Sequence, residues 1–219
     1  MKKLITYVLV MTMIVLGLSG CGDSGKETKV TKETSTNTPA STEKTQETKD
    51  GVYSSGTHHA KIKIKDYGTI KVELDADTAP ITVGNFAKLV NEKFYDGLTF
   101  HRIISGFMIQ GGDPKGDGTG GSEENIKGEF SSNGVENKIS HKRGVISMAR
   151  SQDEDSASSQ FFIMHQDGTY LDGEYAAFGK VTEGIEIVDK ICEDATPTDG
   201  NGTIEKENQP VITSIRMID

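Results

Sequence analysis

Beyond residue 91 the apolar side chains of this chain come in short runs between glycine-rich turns, and this spacing most restricts the folds open to it. Just upstream, Ala60-Lys61-Ile62-Lys63-Ile64-Lys65 and Thr69-Ile70-Lys71-Val72-Glu73-Leu74 alternate strictly, with Asp66-Tyr67-Gly68 between them. A period of two on both sides of a turn predicts a hairpin with one buried face. Thr78-Ala79-Pro80 then offers an N-cap with proline in the first turn, and Val83, Phe86, Ala87 and Val90 follow at helical spacing, predicting a helix to about Asn91. Strands are expected at Thr99–Gln110, Gly144–Ala149, Gln160–Met164 and Ala176–Val181, a second helix at Glu183–Cys192, and a last strand at Val211–Ile218. Helices this few, not alternating with every strand, favour a mainly β fold with an antiparallel sheet. The expected form is a closed barrel rather than a doubly wound parallel sheet.

The first 56 residues read differently. Lys2 and Lys3 precede a mostly apolar run, Leu4 to Leu18. That is short for a membrane span, which needs about 20 residues, but suits a signal-peptide core, here residues 1–20. The run ends in Leu18-Ser19-Gly20-Cys21, which resembles the lipobox of bacterial lipoproteins; the resemblance implies lipid attachment at Cys21 and an anchor at the extracytoplasmic face of the cell membrane. From Gly22 to Gly56 there are 13 Ser or Thr but only four apolar residues. Such a segment buries too little apolar surface to offset its ordering entropy, so residues 21–56 are expected to form a disordered tether. As a flexible coil it would reach about 30–35 Å. Residues 57–219 are then the folded domain.

The formal charge of −9 argues against a nucleic-acid partner, since phosphate binding relies on clustered Lys and Arg. Removing Lys2 and Lys3 with the leader makes it −11. With Cys21 lipidated, Cys192 is a lone thiol, expected in the core. Gly116-Asp117-Gly118-Thr119-Gly120-Gly121 matches a dinucleotide-binding pattern, but no apolar helix follows it. Asp113 to Glu124 imitates a calcium loop, yet Lys115 stands at its third position. The five histidines show no metal-ligand spacing: His58 and His59 are expected to be solvated, and His101 and His141 to be satisfied structural histidines. No metal and no cofactor is expected.

The most specific stretch is FHRIISGFMIQGGD, Phe100 to Asp113, where apolar side chains gather around one arginine and one glutamine with nothing evidently reactive beside them. It resembles the signature of the cyclophilins, the peptidyl-prolyl isomerase family. The resemblance continues through Gly118-Thr119-Gly120-Gly121, Gly144-Val145-Ile146-Ser147-Met148-Ala149, Ser159-Gln160-Phe161-Phe162-Ile163, Leu171-Asp172-Gly173 and Phe178-Gly179-Lys180-Val181, and so covers nearly all of residues 57–219. It implies a closed eight-stranded antiparallel barrel with two helices, a monomer, and activity on proline-containing polypeptides, among them exported proteins that are still folding. By the same resemblance Arg102, Gln110 and Phe107 would be the catalytic residues. Met108, Phe162 and Leu171 would complete an apolar proline pocket, with Tyr170 and Tyr175 on its rim. Gly118, Ala149, Arg150 and Gln160 would run beside the substrate chain, Arg150 mainly through backbone groups.

The implied chemistry fits those residue types. Rotation about a prolyl bond breaks amide resonance, at about 18–20 kcal/mol, but breaks no covalent bond. It calls for a pocket for the ring and a donor that favours the twisted amide, not for a nucleophile. Tyr170 and Tyr175 depart from the family's common Trp and His, Arg150 from Asn and Ser105 from Pro. A groove that docks one proline-bearing partner without turnover is the other reading of these residues; an intact Arg102 and Gln110 favour catalysis.

Overall fold

A computed structural model describes residues 53–219. The signal peptide, Cys21 and most of the tether lie outside the described residues. Tyr53 and Gly56, at the end of the expected tether, contact the fold: the Tyr53 ring meets His58 edge-on, and Gly56 bonds Asp77 and Ala76.

The chain runs β1 (Thr57–Ile64), β2 (Gly68–Asp75), α1 (Pro80–Asn91), β3 (Thr99–Ile104), β4 (Met108–Asp113), β5 (Val145–Met148), β6 (Phe161–Met164), β7 (Ala177–Glu183), α2 (Ile185–Asp194) and β8 (Ile212–Met217). The β1–β2 hairpin forms where alternation placed it. Ala60 pairs with Val72 and Ile62 with Ile70, all four fully buried. The expected strand Thr99–Gln110 is instead two strands folded back at Ser105-Gly106, where Gly106 takes a left-handed φ of 82°.

All pairings are antiparallel, and the strand order is β3-β4-β6-β5-β7-β2-β1-β8. The expected closed barrel is not formed: the sheet is an open half-barrel with β3 and β8 at its two edges. Between them there is one isolated bridge, Thr99 to Val211. Pro210 has no N–H to extend that pairing, although its carbonyl accepts from Phe100. Farther along β3, an irregular segment covers the edge: Ile103 donates to the Gly202 carbonyl, and Ile204 donates to that of His101. Gln209 ties this seam together, accepting from the Thr99 hydroxyl and donating to the carbonyls of Gly116 and Ile204. The edge is thus protected without a continuous ladder.

Two apolar clusters result. The larger contains the β1–β2 hairpin, Val83, Phe86 and Val90 of α1, Val188 and Ile191 of α2, and Phe100, Ile103, Ile109, Phe161 and Phe178. The smaller consists of Met108, Val145, Phe162, Met164, Leu171 and Ala177, with Phe107, Ala149 and Tyr175 against it. Adjacent residues of β4 and β6 divide between the two, Ile109 and Phe161 to the large cluster and Met108 and Phe162 to the small one, as opposite faces of a strand require.

Several local expectations are corrected. Thr78 does not cap α1; its hydroxyl and N–H go to Asp75, and the N-cap position, Ala79, has no capping side chain. The second helix starts at Ile185 because Glu183 is still paired with Lys71 in the sheet. His58 is not solvated: its ring lies between the Asp219 carboxylate and the Ser55 carbonyl. Cys192 is buried, and burial pushes its thiol up to about 12, which suits a core residue and not a nucleophile.

Candidate active site

The geometry starts from two compensating irregularities in the β3–β4 pairing. Thr99 faces Asp113 and Phe100 faces Gly111, so Gly112 is an extra residue on β4; Arg102 then faces Gln110, so His101 is an extra residue on β3. Without the second bulge, alternation would put Arg102 on the same face as Phe100, inside the large core. With it, Phe100 and Ile103 both face that core, while Arg102 joins Met108 and Gln110 on the opposite face. The paired glycines have a steric reason: a Cβ at Gly111 would lie 2.6 Å from the Thr99 carbonyl oxygen, and one at Gly112 2.6 Å from that of Ser159.

Arg102 is held from two sides. Its Nε donates to the Asn201 carbonyl (2.8 Å) and its Nη1 to Gln110 Oε1 (3.1 Å). Gln110 Nε2 donates to Gln160 Oε1 (2.9 Å), and Gln160 Nε2 to the carbonyls of Gly118 and Gly120. Each amide thus presents its oxygen to the preceding donor and its nitrogen to the next acceptor. Partial burial pulls the Arg102 guanidinium below its ordinary pKa, against the pull of Tyr175, Asp199 and Tyr170. Among the described residues Nη2 has no acceptor.

The guanidinium stands at a cavity of about 220 Å³ whose walls include Phe107, Met108, Phe162, Leu171 and Tyr175. A polar cavity of about 330 Å³ adjoins it, lined by Gly118, Gln160 and the serines of the 151–158 loop; Gln110, Ala149 and Arg150 border both. Of the twelve expected site residues of the domain, eleven therefore meet along one groove. Tyr170 does not line either cavity; it is 71% exposed, with its ring 6.0 Å from that of Phe107.

The Arg102–Gln110 pair thus stands at a pocket with aromatic and aliphatic walls, and a glutamine relay leads from it into a glycine loop. The model of the cyclophilin type peptidyl-prolyl cis-trans isomerase family matches residues 59–217. The chain belongs to this family. Peptidyl-prolyl cis-trans isomerase B of Bacillus subtilis is 44% identical over 144 residues, covering 66% of this chain and 92% of that protein. A Helicobacter pylori peptidyl-prolyl cis-trans isomerase is 47% identical over 137 residues, 62% of this chain and 80% of the relative. Among solved structures, a Cryptosporidium parvum cyclophilin type isomerase, crystallised in the presence of the dipeptide Ala-Pro, superposes with a TM-score of 0.65 at 31% identity, covering 74% of this chain and 99% of the other. The present chain is a cyclophilin-type peptidyl-prolyl cis-trans isomerase, and its substrates are proline-containing polypeptides.

In this cyclophilin several residues around the groove had no signal in the sequence. Asn201 is one; only its backbone carbonyl is used. Behind the pocket, His141 stacks on Phe162 with ring centroids 6.0 Å apart, donates from Nδ1 to Asp172 (2.9 Å) and accepts from the Ser147 hydroxyl at Nε2 (3.0 Å). Burial lowers its pKa more than Asp172 raises it, so the ring is neutral, with the proton on Nδ1 facing the carboxylate. His141 is the satisfied structural histidine expected. His101 is not: it is 4% exposed, and neither ring nitrogen has a partner among the described residues. In the calcium-like stretch, the Asp113 carboxylate accepts N–H bonds from Lys115, Asp117 and Gly118 and so pins the glycine loop. Among the described residues no group of three or more His, Cys, Asp or Glu is placed to hold a metal ion.

Proposed function

We propose that the 220 Å³ cavity takes the proline ring and that Arg102 lowers the rotation barrier by donating to the prolyl nitrogen. In the planar amide that nitrogen's lone pair is delocalised and a poor acceptor. As the bond twists, the nitrogen becomes pyramidal and recovers the pair, so the guanidinium bond strengthens in the transition state alone. Each ~1.4 kcal/mol gained there multiplies the rate about tenfold. Phe107, Met108, Phe162 and Leu171 supply apolar walls, Gln110 aims Arg102 and meets the substrate backbone, and the Gly118–Gln160 side receives the chain beyond the proline. The observation that carries this reading is Arg102 anchored through Nε and Nη1 at the cavity walled by Phe107, Met108, Phe162 and Leu171.

The cellular part of the proposal rests on residues 1–56. Cleavage before Cys21, lipid on that cysteine and the Ser/Thr-rich tether would hold the isomerase at the outer face of the cytoplasmic membrane, where exported chains emerge with X–Pro bonds still isomerising over tens of seconds.

The deciding experiment is exchange NMR on a short X–Pro peptide, wild type beside Arg102→Ala. The expected result is a loss of roughly 10²–10³-fold in catalysed exchange, as for removal of one oriented donor, with the thermal transition retained. An Arg102→Ala protein that still catalyses at the wild-type rate would refute the role given to Arg102.

A further inference from the structure

Arg150 lies on the ridge between the two cavities, and its side chain is only 11% exposed. Its Nη2 makes a loose ion pair with the half-exposed Glu174 carboxylate at 3.6 Å, beyond hydrogen-bond length, and so worth little. What encloses Arg150 is aromatic. Its Cζ lies 5.0 Å from the Phe130 ring centroid and 4.9 Å from that of Tyr175. Both distances are within cation–π range, and a guanidinium, unlike an ammonium, can also lay its plane on a ring. The donors at its edge are committed to backbone: Nε to the Glu174 carbonyl (3.0 Å), and Nη1 to those of Ser151 (2.9 Å) and Gln152 (3.3 Å). One side chain therefore joins the loop after β5 to the loop before β7.

The two aromatic partners differ in freedom. Phe130 is 1% exposed and belongs to the large core, so it is a fixed base. Tyr175 is a partly buried wall of the cavity assigned to proline, and meets Phe162 edge-on at 5.9 Å and 83°. Phe130, Arg150, Tyr175 and Phe162 thus form a continuous chain of contacts from the core to the pocket. Tyr175 also lies close enough to Arg102 to bear on its charge.

We propose that Arg150 is a positioning residue: clamped on Phe130, it sets the place of Tyr175, and through Tyr175 the width of the proline cavity. Its backbone bonds tie the adjoining polar groove to the same reference. The proposal rests on the assignment of that cavity to proline. Nε and Nη1 are occupied by carbonyls and Nη2 faces the Glu174 carboxylate, so Arg150 acts through Tyr175 and does not read a charge on the substrate.

The test compares the purified full chain as wild type, Arg150→Lys, Tyr175→Leu and the double variant in the exchange assay on a neutral X–Pro peptide, far below each protein's thermal transition. Lysine keeps the charge but loses the planar stack and the fork of donors. Each single variant is expected to raise KM by about 3–10-fold with kcat within about twofold, because the loss is in holding the ring and not in the donor at the reacting bond. The double variant is expected to be no worse than the poorer single one, since both changes break the same clamp. Arg150 side-chain proton resonances, shifted upfield by two rings in the wild type, should move downfield in Tyr175→Leu. The proposal is overturned if Arg150→Lys has the wild-type KM, if the two effects multiply independently, or if Arg150→Lys loses only peptides carrying Asp or Glu near the proline. A wild type that binds peptide without accelerating exchange would sink the catalytic reading instead; the same four proteins then report on the clamp through peptide Kd, with the same non-additivity expected.

Discussion

His101 is a single residue with two costs. It interrupts the β3–β4 register so that Arg102 faces the groove, and its imidazole is buried with both nitrogens unpartnered among the described residues. Burial lowers its pKa, more than Asp113 and Asp117 raise it. His141 is also lowered by burial. The sign of the pH effect follows. Both groups are neutral in the folded protein, whereas in the unfolded chain they take up protons near pH 6.5. Stability from these two sites is therefore complete above about pH 6.5 and is lost as pH falls toward their folded values, by about 1.4 kcal/mol per unit of depression at full effect. Calorimetry between pH 7.5 and 5 should show a falling transition temperature, and His101→Leu, which removes one titrating group, should give a shallower slope. A slope as steep in His101→Leu as in the wild type would acquit His101. Asp113 belongs to a lower window. Burial raises its pKa, but the N–H bonds of the glycine loop outweigh that and hold it below the usual carboxylate range.

At the scale of elements, α1 starts without help from its own sequence. Pro80 in the first turn needs no N–H partner, but Ile81 and Thr82 do, and nothing local accepts from them. Glu129, 47 residues beyond Thr82, supplies both acceptors: Oε1 takes the Ile81 N–H (3.0 Å), and Oε2 takes the N–H and the hydroxyl of Thr82 (both 2.7 Å). A carboxylate at that end also suits the helix dipole. Glu129 precedes Phe130, the base of the Arg150 clamp, so one short segment caps the helix and supports the pocket. Glu129→Ala would leave buried donors unsatisfied and should cost about 2–4 kcal/mol. Glu129→Gln, which keeps an acceptor, should cost less. Urea unfolding would read this as a lower midpoint at unchanged m-value; equal midpoints for Ala and wild type would refute the capping role.

For the molecule as a whole, the domain and the leader make separate demands. The folded part builds its groove from segments spread between residues 102 and 201, so the groove exists only when the sheet is assembled. The leader, on the proposal above, decides only where that groove is presented. The two are separable by experiment. In the cell, Cys21→Ala should abolish incorporation of labelled palmitate and move the protein out of the membrane pellet, with isomerase activity per molecule unchanged. A Cys21→Ala protein that remains in the pellet would show that something other than lipid on this cysteine holds it there.

How much was legible depends on how local the cause was. The β1–β2 hairpin, the span of α1 and the separation of short strands could be read from the chain, because side-chain period and glycine turns act over a few residues. The site residues were legible through the resemblance carried by FHRIISGFMIQGGD and the segments after it, not through any pairwise spacing. Other features had no local cause. That Arg102 faces Gln110 depends on a bulge and a turn within one apparent strand. The capping of α1 by Glu129, the bracing of Arg102 by the Asn201 carbonyl and the ring contacts of Arg150 join residues 20 to 99 positions apart. The half-barrel stays open because Pro210 and an irregular segment meet β3 where a ladder would have closed it, and that meeting is settled by the path of the backbone in space. The sequence by itself determined which residues prefer strand, helix or turn and which chemistry they carry. Tertiary structure alone decided which face each residue shows, since a one-residue shift in register turns a strand's side chains over.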